Sequence, residues 1–140
     1  MVEMALVAPI LAFLLFGALE LGLQHRTGVQ VDSIAREAAR LAASGETPAV
    51  VHAIAADMAT DAGVDPVRMT LQYTYFYIDG WTAWTALGTN GSENSAPGGA
   101  VIRARIEHDY HYFMPGLMNL ITGSSGETHL IRRAVSMMRE

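Results

Sequence analysis

The chain opens MVEMALVAPILAFLLFGALELG, Met1 to Gly22. After Glu3 an apolar run extends unbroken from Met4 to Leu19; Glu20 interrupts it, and Leu21, Gly22 and Leu23 follow. A helix takes roughly 20 residues, at about 1.5 Å each, to cross a hydrocarbon core of about 30 Å. The run is therefore a membrane segment, or one that leaves the membrane to be buried among copies of itself. Its two carboxylates need partners, because an uncompensated charge near lipid costs on the order of 2.5–3.5 kcal/mol or more. A cleaved secretory signal would open on a basic region, yet no Lys or Arg precedes Arg26 and an acid stands third. An ordinary transmembrane anchor leaves Glu3 and Pro9 without a role, whereas a filament-forming helix gives both one.

The helical pattern continues past Glu20. Val31, Ile34, Ala35, Ala38, Leu41 and Ala42 recur at helical spacing as a narrow apolar stripe, with Asp32, Arg36, Glu37 and Arg40 on the other side. Asp32 with Arg36 and Glu37 with Arg40 are spaced as helical ion pairs, each worth a few tenths of a kcal/mol. Gly45 supplies a stop. One helix from about residue 2 to residue 44 would measure roughly 65 Å, too long for a compact domain, so its front half must project. Pro9 removes the bond its N–H would make to the Ala5 carbonyl and kinks or loosens the helix, and Gly17, Gly22 and Gly28 add close-packing points. This divides the chain into a transmembrane or filament-core helix, residues 1–28, and a globular part, residues 29–140.

Within the globular part, Thr47 followed by Pro48 predicts an N-cap and a short helix through Ala49, Val50, Ile54, Met58 and Ala62, closed by Gly63. From Val67 the period changes to two. Met69, Leu71, Tyr73, Tyr75 and Tyr77 alternate with Arg68, Thr70, Gln72 and Thr74 as in a half-buried strand, and Asp79-Gly80 predicts a hairpin that returns Trp81 to Leu87 beside it. Gly88 to Gly99 reads as a polar loop without core residues. Val101 to Tyr112 predicts a third strand, Pro115 to Ile121 a helical turn or two, and His129 to Met138 a last strand. The economical solution is α+β: a small antiparallel sheet laid on the back half of the first helix, whose hydrophobic front projects.

Composition narrows the function. The 140 residues carry a formal net charge of -5, which argues against nucleic acid as a partner because phosphate binding needs a basic stripe. With no Cys, disulfides, thiolate metal sites and a Cys nucleophile are impossible. Hydrophobic residues make up 51% and charged ones 16%, which suits a chain that buries surface against lipid or neighbouring subunits as well as internally.

Candidate chemistry is sparse. His108 and His111, with Glu107 and Asp109, resemble metal ligands, but residues three apart on a strand point to opposite faces and cannot chelate together. Asn90, Ser92, Glu93 and Asn94 lack the Asp-rich spacing of a calcium loop. Asn90-Gly91-Ser92 fits a glycosylation acceptor. All aromatics other than Phe13 and Phe16 fall between Tyr73 and Phe113, a clustering expected of strand residues packed in a core or subunit interface. No nucleophile with its base and no phosphate-binding glycine motif can be placed. No catalytic, cofactor or metal residue is assigned, and the chain reads as no enzyme.

Met1 to Gly22, followed by DSIAREAARLAA at Asp32 to Ala43, resembles the TadE-like pseudopilins of tight-adherence pili, a branch of the type IV filament superfamily. Those chains start Val-Glu-aromatic-Ala-Leu, place a proline a few residues on and a Gly-x-x-Glu near the end of the apolar run, then read Ala-Arg-Glu-Ala-Ala-Arg. The likeness returns where a Tyr-rich strand runs into Pro115 and where an Arg-containing strand closes on Glu140. Met4 departs from the pattern by replacing the aromatic. Glu3 also stands third, where the superfamily acid is fifth after a cut behind a glycine, so either two mature residues are missing or the start differs.

The resemblance implies a structural pilin-like subunit, first in the inner membrane and then in a surface filament for adhesion. Its partners would be copies of itself or other pilins, a prepilin peptidase and the pilus assembly machinery. Glu3, Pro9 and Glu20 are the implied assembly residues. The Glu3 carboxylate would neutralise the N-terminal ammonium of an adjacent subunit, a pairing whose loss strands a buried charge at about 3–5 kcal/mol. Glu20 is expected either to pair with Arg26 or His25 or, preferably, to snorkel at the membrane edge. The runner-up is a monomeric, single-pass anchored accessory or ligand-binding module.

Overall fold

The computed structural model describes residues 2–64, 67–123 and 126–140, and for residues 2, 3, 5 and 6 the backbone only. Helix α1, Val2–Ala43, runs through Pro9 without a break. It ends because Gly45 takes φ 100°, a left-handed conformation that costs glycine nothing. The Gly45 N–H then donates to the Ala42 carbonyl and the Glu46 N–H to that of Leu41, each at 3.2 Å, closing the last turn. Asn94 completes the cap from far along the chain, its Nδ2 donating to the carbonyls of Ala42 at 2.6 Å and Glu46 at 3.0 Å.

Helix α2, Pro48–Ala62, starts at Thr47 with Pro48 in its first turn and stops at left-handed Gly63, as the sequence predicts, although the Thr47 side chain makes no capping hydrogen bond. Val51, Ala55 and Ala59 form the contact line, flanked by Ile54, Met58 and Ala62, while Ala49 and Val50 are exposed. The small residues at 55 and 59 let α2 lie close against α1, and the bulkier neighbours fill the edges of that seam.

Strand β1, Val67–Thr74, is followed by the short pairs β2, Phe76–Tyr77, with β3, Gly80–Trp81, and, after β4, Thr85–Ala86, by β5, Thr89–Asn90, with β6, Glu93–Asn94. Then come β7, Val101–His111, helix α3, Pro115–Thr122, and β8, Thr128–Met138. The main sheet has the order β4-β1-β7-β8 and every pairing is antiparallel. Its register places Leu71 opposite Ala104 and Met69 opposite Ile106, so the face that meets α1 is largely apolar, with His108 and Arg133 as the polar residues at one end. Onto that face pack Ala38, Ala39 and Ala42 at one end, and Val31, Ile34 and Ala35 at the other. The opposite face carries ion pairs, Arg68 to Asp109 at 2.7 Å and Arg132 to Glu107 at 2.6 Å, and Arg103 lies 3.8 Å above the Trp84 ring. The result is the α+β architecture read from the sequence: a long hydrophobic helix projecting from a small antiparallel sheet domain.

Two sequence expectations fail locally. The alternating strand stops at Thr74, whose Oγ1 donates to the Thr82 carbonyl at 2.6 Å, while the Tyr75 N–H donates to Thr82 Oγ1 at 3.1 Å. These bonds turn the chain out of the sheet. The Asp79-Gly80 hairpin forms, but only Thr85–Ala86 returns to β1; Tyr73 and Tyr75 pack against the core, while Phe76, Tyr77 and Trp81 are exposed on the single chain. The stretch from Gly88 to Gly99 is not free of core residues either. Asn94 and Ala96 are buried, because the cap that Asn94 provides for α1 draws the β5–β6 hairpin inward. Arg139 locks it there, donating from Nη1 to Asn94 Oδ1 at 2.9 Å and to the Ala96 carbonyl, and from Nη2 to Glu93 at 2.5 Å.

Candidate functional site

From Val7 to Phe16 the apolar side chains of α1 have no domain around them, and the large ones up to Leu23 stay exposed. Val7, Ile10, Leu11, Leu14, Leu15, Leu19, Leu21 and Leu23 are all exposed. A surface helix of a soluble domain buries one apolar stripe and shows water a polar face, whereas this one is hydrophobic all round. It is long and apolar enough to cross a membrane. Pro9 sits exposed on this bare stretch. The Glu3 side chain lies outside the described residues.

Covering of the helix starts at Gly17, which is half-buried, and is complete at Glu20, which is 1% exposed. Its Oε1 accepts the Tyr110 hydroxyl at 2.9 Å and the Phe113 N–H at 3.3 Å, and its Oε2 accepts the Met114 N–H at 3.1 Å. The local sequence explains why a carboxylate is needed. Pro115 opens α3 and Met114 is its N-cap, yet a methionine side chain offers no cap, so the N–H groups ahead of the helix require an acceptor from elsewhere. Glu20 provides it, with the added benefit of negative charge at a helix start. Burial, and then the bond to Glu20, push the Tyr110 phenol up to about 12. Below the clamp, Ile121 Cδ1 lies 3.9 Å from the position a Cβ would take on Gly17, so α3 crosses α1 at the small residue one turn earlier.

This arrangement corrects the expectation for Glu20. It neither snorkels at a membrane edge nor pairs with Arg26 or His25; three donors from the sheet domain surround it. Sequence reasoning missed those partners because they lie some ninety residues away. A usable signal was present, however: a lone carboxylate at the end of an apolar run, and a Phe-Met-Pro helix start without a capping side chain.

A cleft of about 400 Å³ lies just above the clamp, between Leu21, Gln24, His25 and Gly28 of α1 and His129 to Arg133 of β8. Gly28 admits the Arg133 guanidinium, since a Cβ there would meet Nη2 at 3.2 Å. Asn90 is exposed on β5, near the opposite end of α1, and the structure does not bring it near Pro9 or Glu20. His108 and His111 share β7, and among the described residues no group of three or more His, Asp or Glu is placed to hold a metal.

A family model described as TadE-like protein matches residues 1–40. The match spans the bare part of α1, the Glu20 position and most of the helix that lies on the sheet. No curated protein and no solved structure matches the chain. Beyond that match, the long projecting helix on an antiparallel sheet gives the chain a pilin-like architecture.

Proposed function

We propose that this chain is a structural pilin-like subunit that is held in the inner membrane by residues 1–28 and is then drawn into a type IV-like surface filament through α1. The domain formed by residues 29–140 faces outward, and the filament serves attachment to surfaces. The observation that carries this reading is the bare apolar stretch from Val7 to Leu23, joined to a domain whose own core is complete without it. Such a helix is stable in lipid before assembly and among copies of itself, or of other pilins, afterwards. The match of residues 1–40 to the TadE-like model supports it. A prepilin peptidase and the pilus assembly machinery are the partners the reading requires. Glu3 sets the register between subunits by neutralising an N-terminal ammonium, and Pro9 softens the helix that must leave the bilayer.

Electron microscopy of the sheared cell-surface fraction, with mass spectrometry of its fibres, tests the proposal. The fibres should contain this chain, and Glu3→Ala should insert in the membrane yet fail to assemble. Fibres in normal number from Glu3→Ala would refute the register role. A chain that stays wholly with the membrane while fibres lack it would instead be a single-pass accessory or binding module.

A further inference from the structure

We infer that α3 is a second membrane-contacting element: before assembly it lies in the outer interfacial layer of the bilayer, with Phe113, Leu120 and Ile121 in lipid. The inference rests on the reading that α1 is anchored in the membrane.

Three observations converge. First, the segment is apolar and turned outward: Phe113 is 74%, Leu120 76% and Ile121 51% exposed, and α3 contains no charged residue. Second, its level along α1 is fixed at both ends. The Glu20 carboxylate holds the N–H groups of Phe113 and Met114, and Ile121 packs beside Gly17, so α3 occupies the height of the last turn of the apolar run. A hydrocarbon core of about 30 Å takes roughly 20 helical residues, and the run from Met4 to Leu19 with Leu21 fills it only if the boundary falls close to Glu20. Any placement that keeps this run in lipid brings Leu120 and Ile121 to the same boundary.

Third, positive charge begins where headgroups would. Arg26 and Arg133, the latter beside Gly28, stand roughly 9–12 Å above Glu20 at 1.5 Å per residue. Among the described residues no carboxylate forms an ion pair with either; Arg133 donates to the Arg132 carbonyl at 3.2 Å. Guanidinium groups just outside an apolar band suit lipid phosphates, which they bind through paired N–H donors. The apolar face of α3 is therefore continuous with the bare face of α1 below it and bounded by cations above, the profile of a helix lying in an interface. Glu20 is tolerated at this depth because its carboxylate is enclosed by the Tyr110 hydroxyl and the backbone donors.

The absence of Cys makes the test direct. Full-length Leu120→Cys, Leu11→Cys and Asn90→Cys, each carrying one environment-sensitive fluorophore, are reconstituted in vesicles of phosphatidylcholine and phosphatidylglycerol with nitroxide lipids labelled near the headgroup or deep in the chain. Leu120 is exposed, so its replacement should leave the domain folded, which circular dichroism checks; Ile121→Cys serves as the second probe. The expected result is a blue-shifted label at 120 quenched most by the shallow nitroxide, one at 11 quenched most by the deep nitroxide, and one at 90 quenched by neither. Quenching at 11 without quenching at 120 or 121 overturns the inference and leaves the anchor standing. Quenching at none of the positions overturns both. A label at 120 shielded from aqueous quencher, untouched by lipid nitroxides and cross-linkable between copies would show that a second subunit covers α3, and the inference would fall.

Discussion

Residues 7–23 and residues 31–43 belong to one helix and both are rich in apolar side chains, yet the first set is mostly exposed and the second holds the centre of the core. The difference is one of arrangement rather than amount. In the back half the apolar residues keep to a stripe, and the other side is given to Asp32 with Arg36 and Glu37 with Arg40, both of which form ion pairs. Many of the stripe residues are alanines, so the sheet approaches closely. In the front half the apolar residues are large and surround the axis. One half is built for a single protein face with water behind it, the other for lipid or for neighbours on every side. Glu20 marks the handover.

Truncating one large side chain in each region should have opposite consequences. Ile106 is fully buried beneath the back half of α1, and Ile106→Ala should lower the unfolding free energy of the domain by about 2–5 kcal/mol. Leu14 is 60% exposed, and Leu14→Ala should change the same quantity by no more than about 0.5 kcal/mol while weakening partition into membrane. Denaturant midpoints in a mild detergent measure the first effect, and vesicle flotation the second. Equal midpoint losses for the two variants would mean that the front half contributes to the core after all.

The boundary itself is tested at Glu20. Glu20→Ala removes the acceptor for three donors at once, and leaving buried donors unpaired costs about 1–3 kcal/mol. Amide exchange at Phe113 and Met114 should accelerate, while exchange in β7 far from Tyr110 should not. Glu20→Gln keeps an acceptor oxygen but introduces competing donors, so its loss should be intermediate. Unchanged protection at Phe113 and Met114 in Glu20→Ala would show that α3 holds to α1 without the carboxylate.

The sequence made the elements governed by periodicity legible. The long helix, its buried stripe, the two ion pairs, the Pro48 start and Gly63 stop of α2, and the strands β7 and β8 all follow from spacing and local stereochemistry. Interactions that depend on distant partners were not legible. Nothing near Glu20 announces Tyr110, and nothing near Asn94 announces the last turn of α1 or Arg139. The same limit explains the aromatics. Alternation continues formally to Tyr77, but the Thr74 and Thr82 side chains capture the backbone and turn Phe76 and Tyr77 outward. Asn94 illustrates the general rule: a polar residue in a Gly- and Ser-rich stretch looks solvated until the unsatisfied carbonyls it caps are known.

The same boundary responds to pH. Tyr110 is the domain's side of the clamp, and its phenol is raised from 10.0 to about 12 by burial and by the bond to Glu20. A tyrosine with a raised value holds its proton more tightly folded than unfolded. Its contribution to stability is therefore fully present below pH 10, declines as the unfolded chain ionises above that, and is gone once pH passes about 12. Tyr110→Phe should cost about 0.5–1.5 kcal/mol at neutral pH, since one hydrogen bond is lost but the ring remains packed. The stability advantage over Tyr110→Phe should then fall and change sign across the window from 10 to 12, and the late component of the tyrosinate absorbance should be missing from Tyr110→Phe. In Glu20→Ala that component should move to lower pH without disappearing, because burial still acts on the phenol when the carboxylate is gone. If instead it stays at the same pH, burial alone holds the phenol, and the link between stalk and sheet domain rests on the two backbone donors and the contact of Ile121 with Gly17.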